Sequence, residues 1–111
     1  MSLDPDSLKY IVSASNTIQE AWAQIETNHH RTVIVLEHTK AVGTLSDGDL
    51  RRAILSGRLL STPVRDIMNT NFVSLTKATC GQAEEVFKEK DIFVIPVVDD
   101  QMELIDISIR K

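Results

Sequence analysis

The 111-residue sequence contains one cysteine, Cys80. A single thiol cannot close an internal disulfide, so no disulfide framework holds the chain, and this usage fits a reducing, cytoplasmic setting. Apolar residues make up 42% of the chain but never gather into a run of membrane-spanning length, and no signal-peptide pattern opens it. Positive charge is in deficit. Twelve Lys and Arg against sixteen Asp and Glu leave a formal net charge of −4, which argues against non-specific binding to nucleic acid. Metal-ligand spacing is missing too: His29 and His30 stand at a helix end and His38 in a turn, with no Cys or carboxylate at ligand spacing. There is no Gly-rich phosphate loop and no nucleophile–base pair, so nothing in the sequence reads as an enzyme in its own right.

What remains is an ordinary globular balance, with 25% charged residues. A chain of this length buries roughly 65% of its unfolded surface, enough for a real core. Residues 4–9 are polar and contain Pro5, a short helix or an arm. Tyr10-Ile11-Val12 is a short apolar strand. Thr17-Ile18-Gln19-Glu20 is a capping box, and Ile18, Ala21, Trp22 and Ile25 recur at helical spacing to about residue 28. Thr32 to Leu36 is nearly continuous and β-branched, the pattern of a strand buried on both faces. Ala41 to Leu45 returns as a strand and runs into a helix to about Ser56. Past a connector, Pro63 suits the first position of a helical turn over 64–68. Phe72-Val73-Ser74-Leu75 then reads as a strand, and Thr79-Cys80-Gly81-Gln82 as a second capping box opening a helix. Residues 91–98 contain a buried strand, in which Pro96 requires an edge or an irregular pairing. Residues 103–109 form the last strand.

The stretch most specific in its chemistry is Gly43 to Leu55. Ser46 is a suitable N-cap, and Asp49 three residues on can reach back to it. Asp47 and Asp49 lie in the first turn, where negative charge suits the helix dipole, and Arg51 and Arg52 follow. A carboxylate at such a corner can hold two ribose hydroxyls, while helix N-terminal amides and arginine suit phosphate. A plain capped helix after a strand accounts for the same residues.

The chain also repeats itself. At an offset of 62, Thr17 falls on Thr79, Ala21 on Ala83, Ile25 on Phe87, and Ile34-Val35-Leu36-Glu37 on Pro96-Val97-Val98-Asp99. At the same offset Tyr10-Ile11-Val12 falls on Phe72-Val73-Ser74. Each half is too small for a good core alone, so the two should pack about a pseudo-twofold axis.

On these features the sequence resembles a tandem pair of cystathionine-β-synthase-like (CBS) domains, the Bateman module, over residues 8–109. Gly43, Ser46 and Asp49 match the family's spacing at the start of the last helix of a repeat. Ile95-Pro96-Val97-Val98-Asp99 matches its apolar-Pro-Val-Val-Asp strand, and Pro63 to Met68 its lead into the second repeat. The implied fold is α+β: two pseudo-twofold-related repeats of strand-helix-strand-strand-helix. Residues 1–61 make the first repeat and residues 62–111 the second, which lacks its closing helix. Gly43 to Gly57 and Pro63 to Met68 are more closely similar to CBS pairs fused ahead of sugar-1-phosphate nucleotidyltransferases, where the second half runs directly into the transferase. An excised regulatory module and a simple truncation of an ordinary pair both fit.

The resemblance implies ligand sensing rather than catalysis, with AMP, ADP or ATP as the regulatory ligand in a cleft between the repeats. Asp49 would take the ribose and Ser46 would assist. Arg51 or Arg52 would meet phosphate, and apolar backbone near Ile11 and Val12 would face the base. The second half lacks the Gly, and no Asp follows Ser108, so one competent site at most is expected. Apolar strand surface around Val97, Ile105 and Ile107 would need cover, which points to a homodimer. The other reading is an assembly module that dimerises and holds its neighbour domain without a ligand.

Overall fold

The computed structural model describes residues 4–111; the first three positions of the expected first repeat lie outside the described residues. A 3₁₀ helix over Pro5–Tyr10, capped by Asp4, leads into β1 (Ile11–Ser13). Tyr10 therefore ends the helical turn rather than opening the strand. α1 (Ile18–Asn28) starts at the Thr17/Glu20 capping box, with both reciprocal hydrogen bonds formed. β2 (Thr32–Glu37) and β3 (Lys40–Ser46) follow, then α2 (Asp47–Leu55). The second half carries α3 (Ala83–Glu89), β4 (Val94–Val98) and β5 (Leu104–Ile109). Between the halves, Val64–Asp66 forms a 3₁₀ turn in which Pro63 is the extended residue before the turn, not its first member.

β1 pairs parallel to β2, and β2 antiparallel to β3, in one three-stranded sheet; β4 and β5 form an antiparallel pair. The repeat survives into fine detail. The register of the first sheet slips between Val35 and Leu36, and that of the second slips at the matching place, between Val97 and Val98.

Among the described residues, three apolar clusters form the core. Ile18, Ala21 and Ile25 of α1 pack with Val33, Val35 and Leu45 beneath Leu50 and Ala53 of α2. Leu75, Phe87, Ile95 and Val97 make the smaller core of the second half. Tyr10, Ile34, Leu36 and Ala41 meet Val94, Val98 and Leu104 between the halves. Ile18, Leu45, Leu50, Ile95 and Leu104 are all fully buried; each such side chain contributes about 1.5–3 kcal/mol of burial free energy.

Two expectations fail in the second half, for one physical reason each. Phe72 to Leu75 is not a strand: only Leu75 bridges, parallel to Val97, through Leu75 N–H to Pro96 O and Val98 N–H to Leu75 O. The next rung of that ladder would run from the N–H of residue 96 to the carbonyl of residue 73, and proline has no N–H. Thr79 does not cap a helix. Its hydroxyl takes the N–H of Thr76 at 2.8 Å, its backbone is helical rather than extended, and the chain passes through a 3₁₀ turn at Cys80–Gln82 before α3 begins uncapped. Among the described residues no helix is long and apolar enough to cross a membrane.

Candidate functional site

The strand-to-helix corner at Ser46 is built as its sequence requires. β3 delivers Ser46 in extended conformation, and its Oγ accepts the N–H of Asp49 at 3.1 Å. Asp49 Oδ2 accepts the N–H of Ser46 at 3.0 Å, closing the box. The N–H of Asp47 is taken by the carbonyl of Arg31 at 2.9 Å. Leu50 and Ala53 then turn inward and fix the helix against α1. Below the corner, Thr44 and Asn69 exchange two backbone hydrogen bonds, 3.0 and 2.9 Å long, which draw the second half against β3. Gly43 permits this approach: a Cβ there would stand 2.6 Å from Met68 Sδ.

A cleft of about 390 Å³ opens where this corner faces the second half. Ser46, Asp47, Gly48, Asp49 and Arg52 line one side; Asn69, Asn71, Phe72, Val73 and Asp91 to Val94 line the other. Arg31, held at φ 62°, lies over the Phe93 ring at 5.5 Å, and Arg110 lies 5.3 Å from the same ring. Asp49 retains 28% side-chain exposure, and its Oδ1 receives Arg52 Nη2 at 2.7 Å. The cleft thus combines the carboxylates of Asp47, Asp49 and Asp91, the Ser46 hydroxyl, a helix N-terminus, the guanidinium groups of Arg31 and Arg52 and the rings of Phe72 and Phe93. That inventory can hold a diol, an anion and a flat apolar group together.

Ser46, Asp49 and Arg52 share this cleft. Ile11 and Val12 do not reach it: Val12 is buried under α1, and Ile11 packs against the cluster between the halves. The apolar wall opposite Asp49 comes from the other half, at Phe72 and Val73, because the halves pack across a pseudo-twofold axis. Arg51 also points elsewhere, 3.7 Å from Asp47 and in a groove with Trp22 and His29. The sequence reading missed Arg31, Thr44, Asn69, Phe72 and Phe93. In the second half, Ile109 rather than Ser108 holds the position of Ser46, since Val94 pairs with Ile109 as Thr32 pairs with Ser46. Asp106 stands at the place of Gly43. Among the described residues no group of three His, Cys, Asp or Glu side chains is arranged to hold a metal ion.

Two related α+β halves, packed together with a cleft between them, define a tandem-repeat module. The chain belongs to the CBS domain family, whose model matches residues 7–56 and again residues 64–107. Arabinose 5-phosphate isomerase GutQ of Shigella flexneri is 30% identical over 95 residues, covering 84% of this chain and 30% of that protein. The chain therefore spans less than a third of the isomerase's length. A CBS domain protein from Pyrobaculum aerophilum, solved in complex with AMP, superposes with a TM-score of 0.74 at 18% identity, over 94% of this chain and 86% of that one. CbpB, solved in complex with c-di-AMP, gives a TM-score of 0.72 at 24% identity, over 90% of this chain and 70% of that one.

Proposed function

We propose that the chain is a ligand-sensing regulatory module, not itself catalytic, that binds an adenosine nucleotide (AMP, ADP or ATP) in the cleft between its repeats. The observation that carries this reading is the Ser46–Asp49 corner of the first repeat facing Phe72, Val73 and Phe93 of the second across one cleft. A ligand there touches both repeats, so its binding energy stabilises one arrangement of the halves over others. Asp49 takes the ribose hydroxyls, Ser46 assists, and Arg52 meets phosphate. Two proteins of this fold carry AMP and c-di-AMP, both built on adenosine, which supports the choice of base.

The module regulates a sugar-phosphate enzyme to which it is attached. The GutQ match supports that chemistry through an isomerase, and a nucleotidyltransferase is the finer alternative from the resemblance. The repeats are taken as 1–61 and 62–111, divided in the connector between the two matched stretches. A cytoplasmic setting is supported by the lone, exposed Cys80, and net charge −4 disfavours nucleic acid as partner. A second reading, homodimeric assembly, is favoured by Leu55, Leu59 and Leu60, exposed at 79%, 71% and 47%. The test is a thermal-shift screen with AMP, ADP, ATP, sugar nucleotides and S-adenosylmethionine, followed by calorimetry. A ligand that binds the native state raises the melting temperature by mass action. A flat response to every adenosine compound at millimolar concentration leaves the assembly reading.

A further inference from the structure

Asp49 is already occupied. Its Oδ2 holds the backbone N–H of Ser46, and its Oδ1 holds Arg52 Nη2 at 2.7 Å. Arg52 lies at the lip of the cleft, lining both it and the shallow groove behind α2. It folds back over the first turn along a lane that Gly48 leaves open: a Cβ at Gly48 would stand 3.2 Å from Arg52 Nη1. The neighbouring Arg51 carries the same charge but faces the opposite groove.

We infer that Arg52 is a guard on Asp49 that makes the cleft select phosphorylated nucleosides over free ones. The inference rests on the nucleotide reading of the cleft given above. A diol taking Oδ1 of Asp49 competes with the guanidinium for that oxygen. A free nucleoside offers nothing in return, so the displaced charge is left without its partner. A nucleoside phosphate supplies a new anion as it takes the old one, and the guanidinium passes from carboxylate to phosphate. The planar carboxylate and the tetrahedral phosphate both present paired oxygens that suit the guanidinium fork. Arg52 therefore opposes the binding of one ligand class and favours the other from a single position, acting as a specificity-determining residue.

The experiment is calorimetric titration of the chain with AMP, and displacement of AMP by adenosine, at fixed ionic strength. It compares the unmodified protein with Arg52→Ala and Arg51→Ala. Arg52 is 71% exposed on its side chain and Arg51 62%, so both variants should fold, which circular dichroism checks. In Arg52→Ala, AMP should bind about ten- to a hundredfold more weakly, the value of a hydrogen bond to a charged group. Adenosine should bind equally well or up to about fivefold more tightly, the value of an exposed ion pair released. The preference for AMP over adenosine then collapses, while Arg51→Ala keeps it. Equal weakening of both ligands in Arg52→Ala, or the same collapse in Arg51→Ala, overturns the guard and leaves the nucleotide reading intact. Failure of the unmodified protein to bind AMP at all overturns both.

Discussion

Val12 and Leu75 occupy equivalent places in the two halves, each paired in parallel with a residue of the neighbouring buried strand, Val35 and Val97. Leu75 lies 63 positions after Val12, whereas Val97 lies 62 after Val35. One residue has therefore dropped out of the second half between its first extended segment and β4. The loss falls at the helix start. Asn16 Oδ1 accepts the N–H of Ser13 just as Thr79 Oγ1 accepts that of Thr76, again 63 apart. Buried Ile25 and Phe87 are back at 62. Thr17 thus has a capping role that Thr79 cannot repeat, because Thr79 is the counterpart of Asn16.

Thr79→Asn is the first consequence. If Thr79 holds the turn and not the helix, asparagine should support the same contact to Thr76 N–H, as Asn16 does in the first half. The substitution should leave stability within about 0.5 kcal/mol, whereas Thr17→Ala should cost about 1 kcal/mol as a lost N-cap. Urea unfolding of the two variants checks this. Equal losses at both positions would mean that the contact to Thr76 N–H is not what Thr79 contributes, because asparagine caps a helix as well as threonine does.

Pro96 gives the second. Pro96→Val supplies the N–H that the ladder lacks, opposite the carbonyl of Val73. Two effects oppose each other. A hydrogen bond contributes about 0.5–1.5 kcal/mol, and losing a proline releases about 0.4–1 kcal/mol of unfolded-state entropy. Stability should hardly move, but the new amide at position 96 should exchange slowly with deuterium. Exchange at the rate of an exposed loop would show that the segment 72–74 is held away from β4 by something other than the proline.

Much of this molecule was legible in its sequence, and the failures have identifiable causes. The buried runs of β2 and β4, the Thr17 and Ser46 capping boxes and the apolar stripe of α1 all follow from local pattern. So does the likeness of the halves, carried by Ile34 to Leu36 and Pro96 to Val98. The capping pattern at Thr79 misled because the hydroxyl reaches back to the N–H of Thr76 instead of forward to a helix N–H. The strand expected at residues 72–75 carried its own veto in Pro96, visible only once the pairing partner was known. The site was half legible. Ser46 and Asp49 announce themselves by local geometry, but Phe72, Phe93 and Arg31 join them only through packing of one half on the other. Ile11 and Val12 were assigned within their own repeat, whereas the axis exchanges the walls.

Gly43 should tolerate no side chain without cost. A Cβ at this position meets Met68 Sδ at 2.6 Å, Cγ at 2.8 Å and Cβ at 3.1 Å. Because the contacts extend to Met68 Cβ, rotating the thioether does not clear them. Gly43→Ala should destabilise by about 1–3 kcal/mol, the usual cost of overpacking, and Gly43→Ala with Met68→Ala should recover part of it. The pair also sets the approach of residues 68–69 to β3, so the cleft should widen in the single variant. Denaturation midpoints of the two variants decide it: no recovery in the double variant would rule out this contact as the cause.

Stability should respond to pH at both ends. Glu20 sits below the usual carboxylate range, chiefly because its carboxylate accepts the backbone N–H of Thr17 and then the Thr17 hydroxyl. A lowered folded-state value means that this contribution is present above the ordinary Glu range and fades as pH falls through the lowered value. Tyr10 is shifted upward, first by burial and then by the charge of Asp6. Its contribution is present below the ordinary phenol range and fades as pH rises through the raised value. Melting temperatures should fall at both extremes. Glu20→Gln should flatten the acid limb and Tyr10→Phe the alkaline one, and an unchanged limb in either variant would assign it to other groups.

Asp49 carries the decisive variant. Its carboxylate closes the Ser46 box and holds Arg52, yet the residue is only partly buried, so Asp49→Ala should cost about 1 kcal/mol as a lost cap partner. Each hydrogen bond from a ribose hydroxyl to a charged acceptor contributes roughly 1.5–3 kcal/mol. AMP affinity should therefore fall by about tenfold to a few hundredfold, at about 1.4 kcal/mol per decade. Asp47→Ala is the matched control, since Asp47 lies in the same helical turn and the same cleft but pairs at 3.7 Å with Arg51 on the far side. It should change affinity by no more than about threefold, as expected for an exposed ion pair. Calorimetry on the two variants separates a ribose acceptor from a general negative field. Equal losses would make the corner an electrostatic feature without a dedicated diol contact, and unchanged affinity in a folded Asp49→Ala would leave it as a capped helix alone.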